Sequence, residues 1–370
     1  MAYYIGLMSG TSMDAVDAAL LDFSDSKCIL VNNHSHEIPT KLIRQLQALI
    51  QNESFNIKTL GTLDVELGKL FAAAVKQLLS KTNTGTDEIA AIGSHGQTAF
   101  HAPDSTPPFT LQIGDPNTIS HITGITTVAD FRRRDIAAGG QGAPLAPAFH
   151  NNVFRSCEKN RIILNIGGIA NITALSADNS QPVLGFDTGP GNCLLDSWIA
   201  QHLDQRFDKD GAWGAAGTIN SELLETLLQD DYFSLAAPKT TGREYFNLHW
   251  LNQHKLEDEP QNIQATLAQL TIESISRAIE NHTPDADEVY VCGGGAFNPL
   301  LMQGLNKRLS NKKLATTAEL GITPEWVEAA AFAWLAKQTM ENRTSSICSV
   351  TGANESVILG GIYPGKCRTK

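Results

Sequence analysis

Val183–Asp196 reads V-L-G-F-D-T-G-P-G-N-C-L-L-D, and the rest of the chain is read outward from it. A short apolar run reads as a strand, Asp187 stands at its end, Gly189-Pro190-Gly191 follows, and a helix is expected from Cys193. Glycine permits a sharp turn and a close approach of backbone to a ligand. Asn192 is placed to cap the helix. The N–H groups of a helix start favour an anion such as phosphate. Asp187 is therefore a candidate catalytic base of a phosphotransferase. A turn acid that only helps cap a helix is the alternative from this stretch alone.

The same strand-then-glycine logic recurs. Tyr3 to Leu7 is a short apolar strand, and M-S-G-T-S-M-D, Met8 to Asp14, is a turn. The stretch Ala15 to Phe23 after it fits a strand or a helix by pattern. Ser9, Thr11 and Ser12 offer hydroxyls, and Asp14 or Asp17 is placed to face a metal ion. Arg161 to Leu175, R-I-I-L-N-I-G-G-I-A-N-I-T-A-L, sets Gly167-Gly168 between two apolar strands. Glu288 to Cys292 leads into G-G-G-A-F-N-P, Gly293 to Pro299, and a helix begins near Leu300. Separated loops of this kind can converge on one nucleotide from two domains. Apolar residues at helical spacing predict helices over 42–50 and 60–79, with others at 221–228, 263–281 and 325–337.

Two further stretches look like site walls. S-H-G-Q-T, Ser94 to Thr98, follows a brief strand, and a lone His95 there is more often a structural hydrogen-bonder than a catalyst. Asp130 to Pro147 places three arginines before a long loop of small residues. Arginine suits a carboxylate or phosphate because it offers two parallel hydrogen bonds. A solvated patch paired with Asp130 and Asp135 is the equal alternative.

A chain of 370 residues is too long for one ordinary core. Two α/β domains are expected: 1–130 together with about 350–370, and 131–349. A net charge of −11 argues against nucleic acid as a main partner. No apolar run approaches a membrane span, and M-A-Y-Y-I-G lacks a signal-peptide pattern. The six cysteines form no C-x-x-C pair, which argues against a zinc site and for a reducing cytoplasm. A homodimer is compatible with the sequence.

Rival nucleotide motifs fail. No G-x-x-x-x-G-K-[ST] occurs, and the third glycine of a dinucleotide fingerprint is Leu194. Protein-kinase H-R-D and D-F-G are absent. F-D-T-G also marks an aspartic protease loop, but that chemistry needs a second carboxylate and no second D-T-G or D-S-G exists. A non-catalytic sensor that binds nucleotide on the same fold is the other rival.

The order of glycine loops resembles the sugar kinase, heat-shock 70 and actin superfamily. The strings Y-I-G-L-M-S-G-T-S-M-D, I-G-S-H-G-Q-T, V-A-D-F-R-R-R-D-I-A-A-G-G-Q-G-A-P-L, N-I-G-G-I-A-N-I, G-F-D-T-G-P-G-N, D-G-A-W, T-G-R-E-Y-F-N and C-G-G-G-A-F-N resemble the anhydro-N-acetylmuramic acid kinases in particular. The resemblance implies a two-domain actin-like (ribonuclease H-like) ATPase fold with a central cleft. It also implies an ATP- and Mg²⁺-dependent enzyme of peptidoglycan recycling. Such an enzyme opens the 1,6-anhydro ring of 1,6-anhydro-N-acetylmuramic acid with water and phosphorylates O6, giving N-acetylmuramic acid 6-phosphate and ADP. By the same resemblance, Gly10, Thr11, Ser12, Met13, Asp14, Ala15, Val16 and Asp17 form the first ATP-phosphate loop. Gly167 and Gly168 form the second, and Gly293, Gly294 and Gly295 lie on the nucleoside side. Asp187 is the catalytic residue, Arg134 and Glu328 bind the sugar, and His95 and Gln97 line the same cleft. Metal ligands are not implied. One position departs: the family pattern has glycine after S-M-D, and here it is Ala15. Alanine there would cost about 1 kcal/mol if φ were positive.

Overall fold

A computed structural model describes residues 3–10, 13–24, 28–50 and 56–366, with the backbone alone at 51. Thr11 and Ser12 of the expected first phosphate loop lie outside the described residues. The chain divides into two compact units, Met1–Val153 with Trp326–Lys370, and Phe154–Glu325.

In the first unit, β1 (Tyr3–Met8), β2 (Ala15–Asp22) and β3 (Ile29–Glu37) form an antiparallel meander. β4 (Ile89–Ser94) adds parallel to β1, and β7 (Thr127–Ala129) adds parallel to β4. The strand Gly361–Tyr363 closes that edge antiparallel to β7. Between β4 and β7 lies a separate hairpin, β5 (Gln97–Ala102) and β6 (Phe109–Ile113). The stretch after the first turn, ambiguous by pattern, is a strand because it pairs with β1 from Tyr3↔Asp22 to Met8↔Asp17.

Alternation along β1 sends Ile5 and Leu7 to one face and Gly6 to the other. Ile5 and Leu7 join a core with Leu63, Leu67, Phe71, Val75 and Leu78 of the helix Ile57–Ser80. A Cβ on Gly6 would collide with the Ala329 carbonyl, and one on Gly93 with that of Phe332. The helix Val327–Met340 therefore lies with its backbone almost on the sheet, which its run of alanines permits. Trp334 of this helix donates from Nε1 to Asn152 Oδ1 at 3.1 Å and packs edge-on against Phe149. These contacts place 131–153 and 326–349 with the first unit. The divisions fall at 153/154 and 325/326 rather than near 130 and 349, because backbone-close packing at two glycines outweighs sequence proximity.

In the second unit, β8 (Arg161–Ile166), β9 (Ile169–Leu175) and β10 (Leu184–Pro190) form another antiparallel meander. β11 (Glu288–Cys292) adds parallel to β8, and β12 (Lys313–Thr316) adds parallel to β11. The spatial order β10-β9-β8-β11-β12 repeats the plan of β3-β2-β1-β4-β7. Its core holds Ile162, Leu164 and Phe186 of the sheet with Leu267 and Ile275 of the long helix Pro260–His282.

Candidate active site

The first β-turn of each meander carries glycine, but the two turns are built differently. In the first unit, Met13 N–H donates to Gly10 O at 3.1 Å, and Met13 takes the left-handed φ of 52°. Ala15 already belongs to β2, pairs with Glu37 and has no positive φ. The condition under which alanine would be costly there is not met. Asp14 O accepts from Ile38 N–H at 3.0 Å, Val16 is buried, and Asp17 sits opposite Met8 in the ladder.

Ser9 is buried, and its Oγ donates to Gln97 Oε1 at 2.8 Å. His95 is also buried. Its Nε2 faces Arg132 Nε at 3.2 Å and a terminal guanidinium nitrogen at 2.9 Å. A guanidinium has only donors, so Nε2 is an acceptor and the ring proton resides on Nδ1. Burial first, and then the Arg132 charge, hold His95 well below the usual histidine range. It is a neutral hydrogen-bonder. Arg132 also donates to Gly142 O at 2.8 Å, and burial lowers its own pKa to about 10 while Glu328 and Asp135 raise it.

Among the three arginines the structure thus separates roles. Arg132 is tied to His95, Arg133 pairs with Asp130 at 3.3 Å, and Arg134 is exposed. Glu328 opens the helix Val327–Met340, and its carboxyl is pushed up by the protein around it and by Asp17, against the pull of Arg132. His95 borders a cavity of about 380 Å³ in this unit. Ser94 Oγ, His95 Nδ1 and Gln112 Oε1, all from residues lining it, are buried without partners among the described residues. Buried polar atoms are seldom left unpaired, so water or a polar ligand is expected there.

In the second unit, β10 does not stop at Asp187. It runs to Pro190 with a bulge between Asp187 and Gly189, and Gly189 takes φ 145°. A bulge re-aims the side chain beside it. Asp187 N–H donates to Lys239 O at 3.0 Å, its Oδ2 accepts from Thr241 N–H at 2.9 Å, and its carbonyl accepts from Tyr232 Oη at 2.6 Å. Burial pushes the carboxyl up to about 6, the Thr241 N–H draws it down and Glu244 adds to the rise.

Asn192 does not cap the helix Cys193–Leu203 with its side chain. Its Nδ2 donates instead to Ile166 O and Gly167 O at 3.1 and 3.0 Å. The N–H groups of Gly191, Asn192 and Cys193 donate to Gly168 O, Gly167 O and Gly168 O at 2.9, 2.8 and 3.0 Å. The helix start expected to cradle a phosphate is therefore occupied by the carbonyls of the Gly167–Gly168 turn. Gly293, with φ 79°, lies so close to Asn165 that a Cβ would strike its Oδ1, and Gly295 packs on Ile166. Gly294 is the open member of the three. The second and third glycine turns therefore meet at the ends of β8 and β11.

Arg243 is the residue sequence reading passed over. A Cβ on Gly168 would lie 2.7 Å from its guanidinium. Arg243 is exposed and also acts electrostatically on Asp196, whose carboxyl burial pushes up to about 6. The signal was present in T-G-R-E-Y-F, a glycine–arginine loop, but nothing local says which strand end it returns to. Among the described residues no group of three or more His, Cys, Asp or Glu side chains is arranged to hold a metal. No helix among them is long and apolar enough to cross a membrane.

Two antiparallel meanders, each extended by parallel strands from its first member and each turning through glycine, define a two-domain actin-like α/β fold of the sugar-kinase type. The pattern of the anhydro-N-acetylmuramic acid kinase family matches residues 2–365. A protein of that name from Coxiella burnetii (strain Dugway 5J108-111) is 51% identical over 365 residues, spanning 98% of each chain. Another from Shewanella oneidensis is 53% identical over 370 residues, spanning 99% of each. The chain belongs to the anhydro-N-acetylmuramic acid kinase family. It is a kinase, a phosphotransferase with an alcohol group as acceptor.

Proposed function

We propose that the protein uses ATP to open the 1,6-anhydro ring of 1,6-anhydro-N-acetylmuramic acid with water and to phosphorylate O6, releasing N-acetylmuramic acid 6-phosphate and ADP in cell-wall recycling. The observation that carries this reading is Asp187 on its bulge, one oxygen held by Thr241 N–H and the carboxyl pushed up to about 6. A general base works best with a pKa near the operating pH. Asp187 is ionised at neutral pH, yet basic enough to draw a proton from water aimed at the anomeric carbon. As the bridge breaks, O6 gains charge and attacks the γ-phosphoryl group.

Glu328 and Arg134 hold the sugar, Arg134 by its lactyl carboxylate. His95 and Gln97 act at one remove, by orienting Arg132 and Ser9. The glycine turns at 10–17, 167–168 and 293–295 bring backbone donors to the nucleotide. Mg²⁺ would fit this chain if held mostly by phosphate oxygens and water, since it typically takes only one or two protein carboxylates, for which Asp14 of the first turn and Asp17 of β2 are the candidates. Its chemistry there is to offset phosphate charge. The protein is proposed to work in the cytoplasm.

The deciding assay is ADP release with the anhydro-sugar against ordinary amino sugars. Release with neither, despite nucleotide binding, would favour the sensor reading. Asp187→Asn should lower turnover by roughly 10²–10⁴; near-normal turnover would remove the assigned base. The pH dependence has a definite sign. Because the carboxylate is the active form, kcat is full well above pH 6 and falls as pH drops through about 6.

A further inference from the structure

A second cavity, of about 360 Å³, lies in the second unit beside the strand that carries Asp187. Thr188, the next residue along, lines it together with Lys239, Ser274, Arg277, Asn281 and His282. Three basic side chains face this space, and among the described residues that line it there is no acid.

The charges of Arg277 and Lys239 are poorly answered by the protein. Arg277 reaches Glu273 only at 3.6 Å, and Glu273 already accepts from Arg308 Nε at 3.0 Å and Gln269 Nε2 at 3.1 Å. Lys239 Nζ rests on the carbonyls of Tyr232 and Phe233 at 2.8 and 3.4 Å, with the Tyr232 ring centroid 4.5 Å away. It has no carboxylate partner among the described residues, and burial lowers its pKa. His282 stands edge-on to Phe186 at 4.9 Å, and burial, then the Lys239 charge, lowers its pKa. Two cations, Lys239 and Arg277, at a concave surface beside an imidazole and with only the shared Glu273 in reach, form an anion site, because an arriving anion offsets their mutual repulsion and gains charge-assisted hydrogen bonds.

We propose that this cavity binds a small phosphate-bearing dianion, held by Lys239, Arg277 and His282. The volume admits either free phosphate or a sugar phosphate. The site is wired to Asp187, because Lys239 O receives the Asp187 N–H at 3.0 Å and Tyr232, whose carbonyl holds Lys239 Nζ, donates its hydroxyl to Asp187 O at 2.6 Å. An anion that draws Lys239 Nζ away from those carbonyls shifts both supports of the acid. Occupancy is therefore expected to change turnover. That second part rests on the role given to Asp187 above.

The test is calorimetric titration of the nucleotide-free enzyme with inorganic phosphate and, separately, with glucose 6-phosphate, for wild type, Arg277→Ala and Lys239→Met. Arg277→Ala should weaken anion binding by about tenfold or more, while its turnover without added anion stays at the wild-type level. Preference for the sugar phosphate would identify a sugar phosphate as the bound anion, and equal binding would identify free phosphate. No binding below about 10 mM, or binding undiminished in both variants, would overturn the proposal. Because the titration reads binding, repeating it in Asp187→Asn separates the two ideas. Normal turnover in that variant removes the base and leaves the anion site, while binding undiminished in both Arg277→Ala and Lys239→Met removes the site and leaves the base.

Discussion

The two meanders share a strand order yet close their first turns by opposite means. The turn between β8 and β9 is two glycines whose carbonyls are clasped from inside by the N–H groups of Gly191, Asn192 and Cys193 and by the Asn192 side chain. Its acceptors are spent on the protein, and the Arg243 guanidinium lies against Gly168, 2.7 Å from where a Cβ would stand. The turn between β1 and β2 is longer, and among the described residues Met13 N–H to Gly10 O is the backbone bond that narrows it. Ser9 is committed to Gln97. One turn is therefore clasped by backbone and side-chain donors from a helix start, and among the described residues the other is tied by the Ser9 side chain to Gln97 of its own unit. A repeated topology does not imply a repeated way of closing its turns.

The difference can be broken most forcefully at Gly191. A Cβ there would strike Gly167 O, a backbone atom with no room to move. Gly191→Ala should destabilise the protein by about 3 kcal/mol, read as a lower urea midpoint; an unchanged midpoint would mean that the clasp is loose. Asn192→Ala removes two side-chain hydrogen bonds and should cost about 1–2 kcal/mol, with a rise in the Michaelis constant for nucleotide. Gly168→Ala sharpens the comparison, because its Cβ meets the mobile end of Arg243 at 2.7 Å rather than backbone. Stability should change by less than about 1 kcal/mol, while nucleotide affinity falls; unchanged affinity would show that Arg243 does not serve the turn. The smallest effect belongs to the first meander. Ala15→Gly, which restores the family residue, should cost about 0.5–1 kcal/mol or less as a glycine in a strand and leave kcat unchanged. A clear gain in kcat would show that the turn needs freedom at that position.

Much of the fold was legible because its signals are local. Apolar runs bounded by glycine marked β1, β8, β10 and β11, and helical spacing marked Ile57–Ser80. The acid of F-D-T-G was found from its place between strand and glycine. Its surroundings were not, since Thr241, Lys239 and Tyr232 arrive from 45 to 54 residues away. The arginines show a signal left unused. Phe131, Asp135 and Ile136 are buried, and helical spacing puts position 132 on their face and 133–134 away from it. That spacing separates the arginine that packs inward from those facing solvent. The use of Asn192 could not be found this way. Its local context offers a helix cap, and only the approach of β8 supplies the better acceptors.

The sequence by itself determined the class of elements, the glycine turns, the acid at Asp187 and the family, because each resides in short strings with a local physical meaning. The tertiary structure alone decided the unit boundaries, the clasp on Gly167–Gly168, the pairing of His95 with Arg132, the relaxed backbone at Ala15 and the position of Arg243. Those depend on which distant backbone and side-chain groups are brought within hydrogen-bonding reach, and sequence spacing carries no distance across a sheet.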